Sequence, residues 1–167
     1  VTDNEKEWKR FYKAGGISVF LALAVMLTEM FLTALPDGAR VEQSITGLFE
    51  MYDRNWFMAM RYMGLMNIFA TTLMIPVYVS FYGLYRHKAG VLSFLALVLS
   101  LAAYAVFISD NVSFAFLELA GKYASAETES ERTILVAAGE ALFARGASHT
   151  PGTFPGFFIG QIAALIF

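Results

Sequence analysis

The sequence predicts an all-α integral membrane protein. The expected architecture is a multi-spanning helical bundle with at least four spans, the last cut short, and amphipathic helices capping its outer face. Three observations carry this reading. The 167-residue chain is 57% hydrophobic and only 16% charged, with a mean hydropathy of +0.56. Soluble domains instead carry about 25% charged and 45–50% apolar residues. Apolar runs close to the ~20 residues needed to cross a bilayer recur along the chain, and between them apolar residues repeat at helical spacing.

The elements follow in order as one transmembrane domain, residues 1–167. Residues 14–36 form the first expected span, AGGISVFLALAVMLTEMFLTALP, which closes on a turn signal at Pro36, Asp37 and Gly38. It is too long for a signal peptide and lacks the small-residue cleavage site, so it reads as a retained helix. Residues 41–56 place Val41, Ile45, Leu48, Tyr52 and Trp56 on one helical face, suited to lying along a membrane interface. Residues 60–85 are the second span and residues 90–108 the third, joined by a tight basic turn.

Residues 112–146 then supply two more outer helices. A first covers about 112–124, bent away from the third span at Asp110 and Asn111. In the second, Thr128 and Glu131 have capping-box spacing, and Ile134, Leu135, Ala138 and Leu142 make an apolar stripe. Arg145 suits the C-terminal dipole and Gly146 a C′ position. Residues 153–167 begin a fourth span. From Gly156 to Phe167 the helix covers roughly 18 Å of a ~30 Å hydrocarbon core. A helix ending there strands carbonyls in lipid, so the sequence reads as a fragment of a longer product.

Basic residues orient the chain. Lys6, Lys9, Arg10 and Lys13 precede the first span, and Arg86 and Lys88 fill the turn after the second, which places the N-terminus and that turn in the cytoplasm. A net charge of −2 argues against nucleic acid as a partner. The absence of cysteine removes disulfides, thiolate nucleophiles and cysteine-held metals, and His87 and His149 are far apart in sequence. The sequence specifies no cofactor.

The tract NVSFAFLELAGKYASAETESERTILVAAGEALFARG, with Gly-Thr-Phe at 152–154, resembles a large bacterial family of multi-spanning membrane proteins of unknown function. The shared features are Leu119-x-x-x-Tyr123-Ala124, the acidic capping stretch, Ala137-Ala138-Gly139-x-Ala141-Leu142 and Gly152-Thr153-Phe154. The resemblance spans about residues 111–154 and departs at His149, Thr150 and Pro151. It implies a bacterial plasma membrane and more spans than this chain holds, and it supplies no reaction, ligand or catalytic residue.

Candidate sites follow from polar groups at depth. Glu29 lies inside the first span, where an acid commonly faces a bundle interior and marks an ion, proton or ligand path. Its structural alternative is a protonated carboxyl bonded to a neighbour such as Asn67. Asn67 and Thr71 share a face of the second span as ligand-linked groups or as interhelical glue. Met26, Met30, Met58, Met60, Met63 and Met66 read as core filling rather than a copper site, because no cysteine or histidine accompanies them. Trp56, Tyr82, Tyr85, Arg86 and Lys88 read as interface anchors. Asp53, Arg54, Asp110 and Asn111 are polar groups at outer helix ends. Two stripes of small residues read as helix-packing faces: Gly156, Gly160 and Ala164, and Ser93, Ala96, Ser100 and Ala103.

Catalysis wants paired acids, a nucleophile or a metal set, and Glu29 is a single acid at depth. The leading expectation is therefore a non-catalytic accessory or structural subunit within a larger membrane assembly. Its partners would be the lipid bilayer and other membrane proteins or further copies of itself. A transporter, or a protein that binds a small hydrophobic ligand or ion through Glu29, is the alternative, and an intramembrane enzyme the second.

Overall fold

The computed structural model describes residues 3–35, 44–146 and 153–167. The turn expected at 36–38, Val41, the tract at 149–151 and Gly152 lie outside these residues. Eight helices run through the described residues: α1 (Asp3–Ala34), α2 (Ile45–Arg54), α3 (Trp56–Tyr62), α4 (Leu65–Tyr85), α5 (Gly90–Ser109), α6 (Ser113–Ser125), α7 (Glu129–Gly146) and α8 (Phe154–Ile166). Three helical segments are long and apolar enough to cross a membrane, Glu5–Ala34, Leu65–Tyr85 and Gly90–Ala124, while α8 is apolar but shorter.

The helices divide into two compact units. The first holds α1 up to Glu29, α4 from Asn67, α5, and α8 from Pro155. Here α1 begins well before the expected residue 14, because its charged opening turns carry an aromatic face. Trp8 lies on Gly83 of α4, and Gly15 meets Ser80 and the carbonyl of Pro76. A side chain at Gly15 or Gly83 would collide with these groups, so glycine allows the two helices their close approach. Pro76 stands inside α4 without ending it. The carbonyl of Pro76 accepts the Ser80 hydroxyl at 2.7 Å.

The second unit runs from Met30 to Met66 and from Asp110 to Phe154. Ser44 caps α2, its hydroxyl accepting the Gly47 N–H at 3.0 Å. The chain breaks at Asn55 (φ −155°, ψ 85°), whose Oδ1 accepts the Met58 N–H at 3.1 Å and so starts α3. The helix expected over 41–56 therefore stops at Arg54, and Trp56 opens the next one. Trp56 is 57% exposed, off the face that Leu48 and Tyr52 share. That face is buried against α6, α3 and α7, so protein covers it where the sequence pointed to a membrane interface.

The second expected span is also divided. Gly64 takes φ 93°, a backbone state that costs other residues energy, and α4 starts only at Leu65. The core of this unit is aromatic. Phe116 is fully buried, its ring 6.4 Å from Tyr52 in a stacked pair and 6.0 Å from Phe49. The capping box of α7 forms as spelled. Glu131 N–H donates to Thr128 Oγ1 at 3.2 Å, and Glu131 Oε2 accepts the Thr128 N–H at 3.2 Å. The buried face of α7 differs from the expected stripe: Ile134 and Ala138 are exposed, whereas Gly139 is buried against Ile45 and Phe49.

Candidate functional site

Glu29 is half-buried one and a half turns before the end of α1. Asn67 and Thr71 sit half-buried on α4. No hydrogen bond joins Glu29 to Asn67 among the described residues. The nearby hydroxyls serve their own helices: Thr28 donates to the Ala24 carbonyl and Thr72 to the Ile68 carbonyl, each at 2.8 Å.

Among the described residues, the most deeply buried charged group is one that sequence reasoning passes over. Arg61, in α3, is only 3% exposed. Its Nη1 donates to Thr33 Oγ1 at 2.9 Å, tying α3 to the last turn of α1 within the second unit. A buried guanidinium persists only where acceptors replace its water. The signal for it was an arginine inside the otherwise apolar run from 56 to 66.

Asn111 and Asp110 act as fasteners. Asn111 donates through Nδ2 to the Gly64 carbonyl at 3.0 Å, and its Oδ1 accepts the Ser113 hydroxyl at 2.6 Å and the Ser113 N–H at 3.1 Å. Asp110 Oδ1 accepts from Arg145 Nη2 at 3.3 Å. Gly146 is the last residue of α7 rather than a position beyond it, and it lies against the Asp110 carbonyl and Val112. Tyr52 donates its hydroxyl to the Ser113 carbonyl at 2.9 Å, and burial raises the pKa of that hydroxyl.

No family model, curated protein or solved structure matches this chain.

The small residues of the first unit meet one another. Ser93, Ala96, Ser100 and Ala103 are all buried on α5. A Cβ at Gly156 would stand 3.1 Å from the Ala103 carbonyl oxygen and 3.3 Å from the Phe107 nitrogen, and one at Gly160 would be 3.7 Å from the Ala103 Cβ. The stripe on α8 continues to Ala163, which is fully buried, while Ala164 is exposed. Two steps of four residues overshoot two turns of 7.2, so the packed position falls one residue earlier than the sequence spacing implied.

At the other end of α4, the Arg86 guanidinium lies 4.2 Å over the Trp8 ring. Arg86 Nε donates to His87 Nε2 at 3.1 Å. Tyr82 packs between Trp8 and Phe94, with ring centroids at 6.5 and 6.2 Å. Tyr85 and Lys88 are exposed. Among the methionines, Met60 and Met63 are buried in the core. Among the described residues, no three His, Asp or Glu side chains gather as a metal-binding group.

Chemically, these arrangements fasten helices. The charged positions that stand out are Glu29 and Arg61, each an ionisable group inside a predominantly apolar stretch.

Proposed function

We propose that this chain is an integral protein of a bacterial plasma membrane, with at least four spans and a cytoplasmic N-terminus, acting as a non-catalytic accessory or structural subunit of a larger membrane assembly. One observation carries the reading: five hydroxyls on the apolar helices donate to backbone carbonyls of their own helix. Thr28, Thr72, Ser80, Ser93 and Ser100 all do this, at 2.7–3.2 Å. Groups bonded in this way give a solute no ladder of polar contacts to follow. The outward sides of α1 and α8, with Phe20, Met30, Phe31, Phe157 and Leu165 exposed, offer large apolar area to lipid or to neighbouring helices.

The test is to solubilise the native membrane gently, capture the protein and identify what accompanies it by mass spectrometry. Stoichiometric recovery of the same larger membrane proteins supports a subunit. Recovery of a single species carrying a small molecule overturns it.

A second reading has its own support. Glu29 and Arg61 are ionisable residues in apolar helices, and such residues commonly mark ion, proton or ligand paths. If a small molecule is recovered, Glu29→Gln and Asn67→Leu should lower its occupancy.

A further inference from the structure

Basic side chains gather at one end of the first unit. In α1, Lys6, Lys9, Arg10 and Lys13 fall at i, i+3, i+4 and i+7, a single stripe, and all four are exposed. The opposite stripe holds Trp8, Tyr12 and Gly15, with Trp8 seated on Gly83 and Gly15 on Ser80. The aromatic side of α1 therefore packs on α4 and the basic side turns away from it. The Trp8–Arg86 stack at 4.2 Å holds the turn carrying Arg86, His87 and Lys88 level with this segment of α1.

The level matters. The apolar part of α1 begins at Ala14, so Lys13, Arg10 and Lys9 stand roughly 2, 6 and 8 Å beyond it along the axis. The headgroup layer of a bilayer occupies about 5–7 Å on each side of the hydrocarbon. Lysine and arginine stems lie along apolar surface while their charges seek the polar layer. Trp8, Tyr12, Tyr82 and Tyr85 add rings of the kind that settle at this depth. Asp3, Glu5 and Glu7 are the acids of the same turns, and against six basic side chains they leave the combined end net positive.

We propose that this end of the first unit is a binding surface for anionic phospholipid headgroups. Lys9, Arg10 and Lys13 meet the phosphates from one side, and Arg86 is held in place by Trp8 on the other. The proposal rests on the membrane reading above and adds a lipid class to it. Charge complementarity at headgroup depth selects lipid over a free acidic protein, since the apolar run starts directly after Lys13.

The experiment uses the whole chain, reconstituted into vesicles of phosphatidylcholine alone or mixed with phosphatidylglycerol. Flotation first checks insertion, and native mass spectrometry then counts retained lipids of each class. The wild type is expected to retain phosphatidylglycerol preferentially. Neutralising three sites together, Lys9→Gln, Arg10→Gln and Lys13→Gln, should reduce that preference by about ten-fold or more, since each basic side chain near an anionic surface contributes about five-fold. Trp8→Ala should produce a smaller loss, and the charge-preserving pair Lys9→Arg and Lys13→Arg none. The proposal is overturned if the triple variant, inserted normally, keeps the wild-type preference. It is equally overturned if inorganic phosphate displaces the lipid at low concentration, which would identify a free-anion site. Failure to float with phosphatidylcholine vesicles would instead reject the membrane reading, and this proposal with it.

Discussion

At the scale of single residues, Arg61 is a buried charge that ties α3 to α1 within the second unit. Thr33→Val keeps the shape of the partner but removes the oxygen that accepts from Nη1. It should destabilise the protein by about 1–3 kcal/mol, the cost of leaving a buried charged donor short of an acceptor. Thermal unfolding in mild detergent reads the loss directly. Sequence reasoning selected Glu29 and passed over Arg61 for a physical reason. A long guanidinium stem near the end of an apolar run ordinarily reaches water, and only tertiary packing decides that this one does not.

Tyr52 gives a second residue-scale expectation. Its hydroxyl is buried and donates to Ser113, and burial raises its pKa above that of a free tyrosine. A raised pKa in the fold means the contribution is whole below the unfolded value of about 10 and is lost as pH climbs beyond it. Tyr52→Phe should cost about 1 kcal/mol at neutral pH through the lost hydrogen bond. The gap between wild type and variant should close progressively above about pH 10. Near-UV melting curves across that range check both the size and the sign.

At the scale of elements, the contact between α5 and α8 can be tested by adding one carbon at a time. Gly156→Ala places a methyl 3.1 Å from a carbonyl oxygen and 3.3 Å from a backbone nitrogen. Neither can move without its helix, so a loss of about 1–3 kcal/mol is expected, typical of overpacking. Gly160→Ala meets only the Ala103 methyl at 3.7 Å, an ordinary contact, and should be neutral or slightly stabilising. Equal effects in a thermal or SDS-resistance assay would contradict the packing. Much of this level was legible beforehand: α5 from its apolar run, the α7 start from Thr128 and Glu131, and small residues on α5 and α8. The breaks at Asn55 and Gly64 were not. Asn55 ends a short polar run whose capping role depends on its side chain meeting the Met58 N–H, and Gly64 falls inside an apolar run and depends on a positive φ, neither of which periodicity reports.

At the scale of the whole molecule, the absence of cysteine makes topology directly measurable. Glu7→Cys and His87→Cys introduce single thiols at exposed positions of the first unit. On the proposed topology, a membrane-impermeant maleimide should label both from the cytoplasmic side and neither from the opposite side. Split labelling would mean that Trp8 does not hold the 86–89 turn level with α1 in the bilayer. The helical class was plain from composition and run length. The division into two units was not, because it depends on which apolar faces find each other, and α2 found α6 where the sequence pointed to a membrane interface.

That choice of cover for α2 has a consequence for how the chain is made. Leu48, Phe49 and Tyr52 leave the ribosome well before Phe116, and the whole of α4 and α5 is translated between them. During that interval the face of α2 has no partner from its own chain. An amphipathic helix in that state adsorbs to the nearest apolar boundary, so nascent α2 is expected to rest on the membrane surface and transfer to α6 once that helix emerges. Stalled chains ending before residue 113 should then expose Tyr52 to lipid-borne quenchers, and chains that include α6 should shield it.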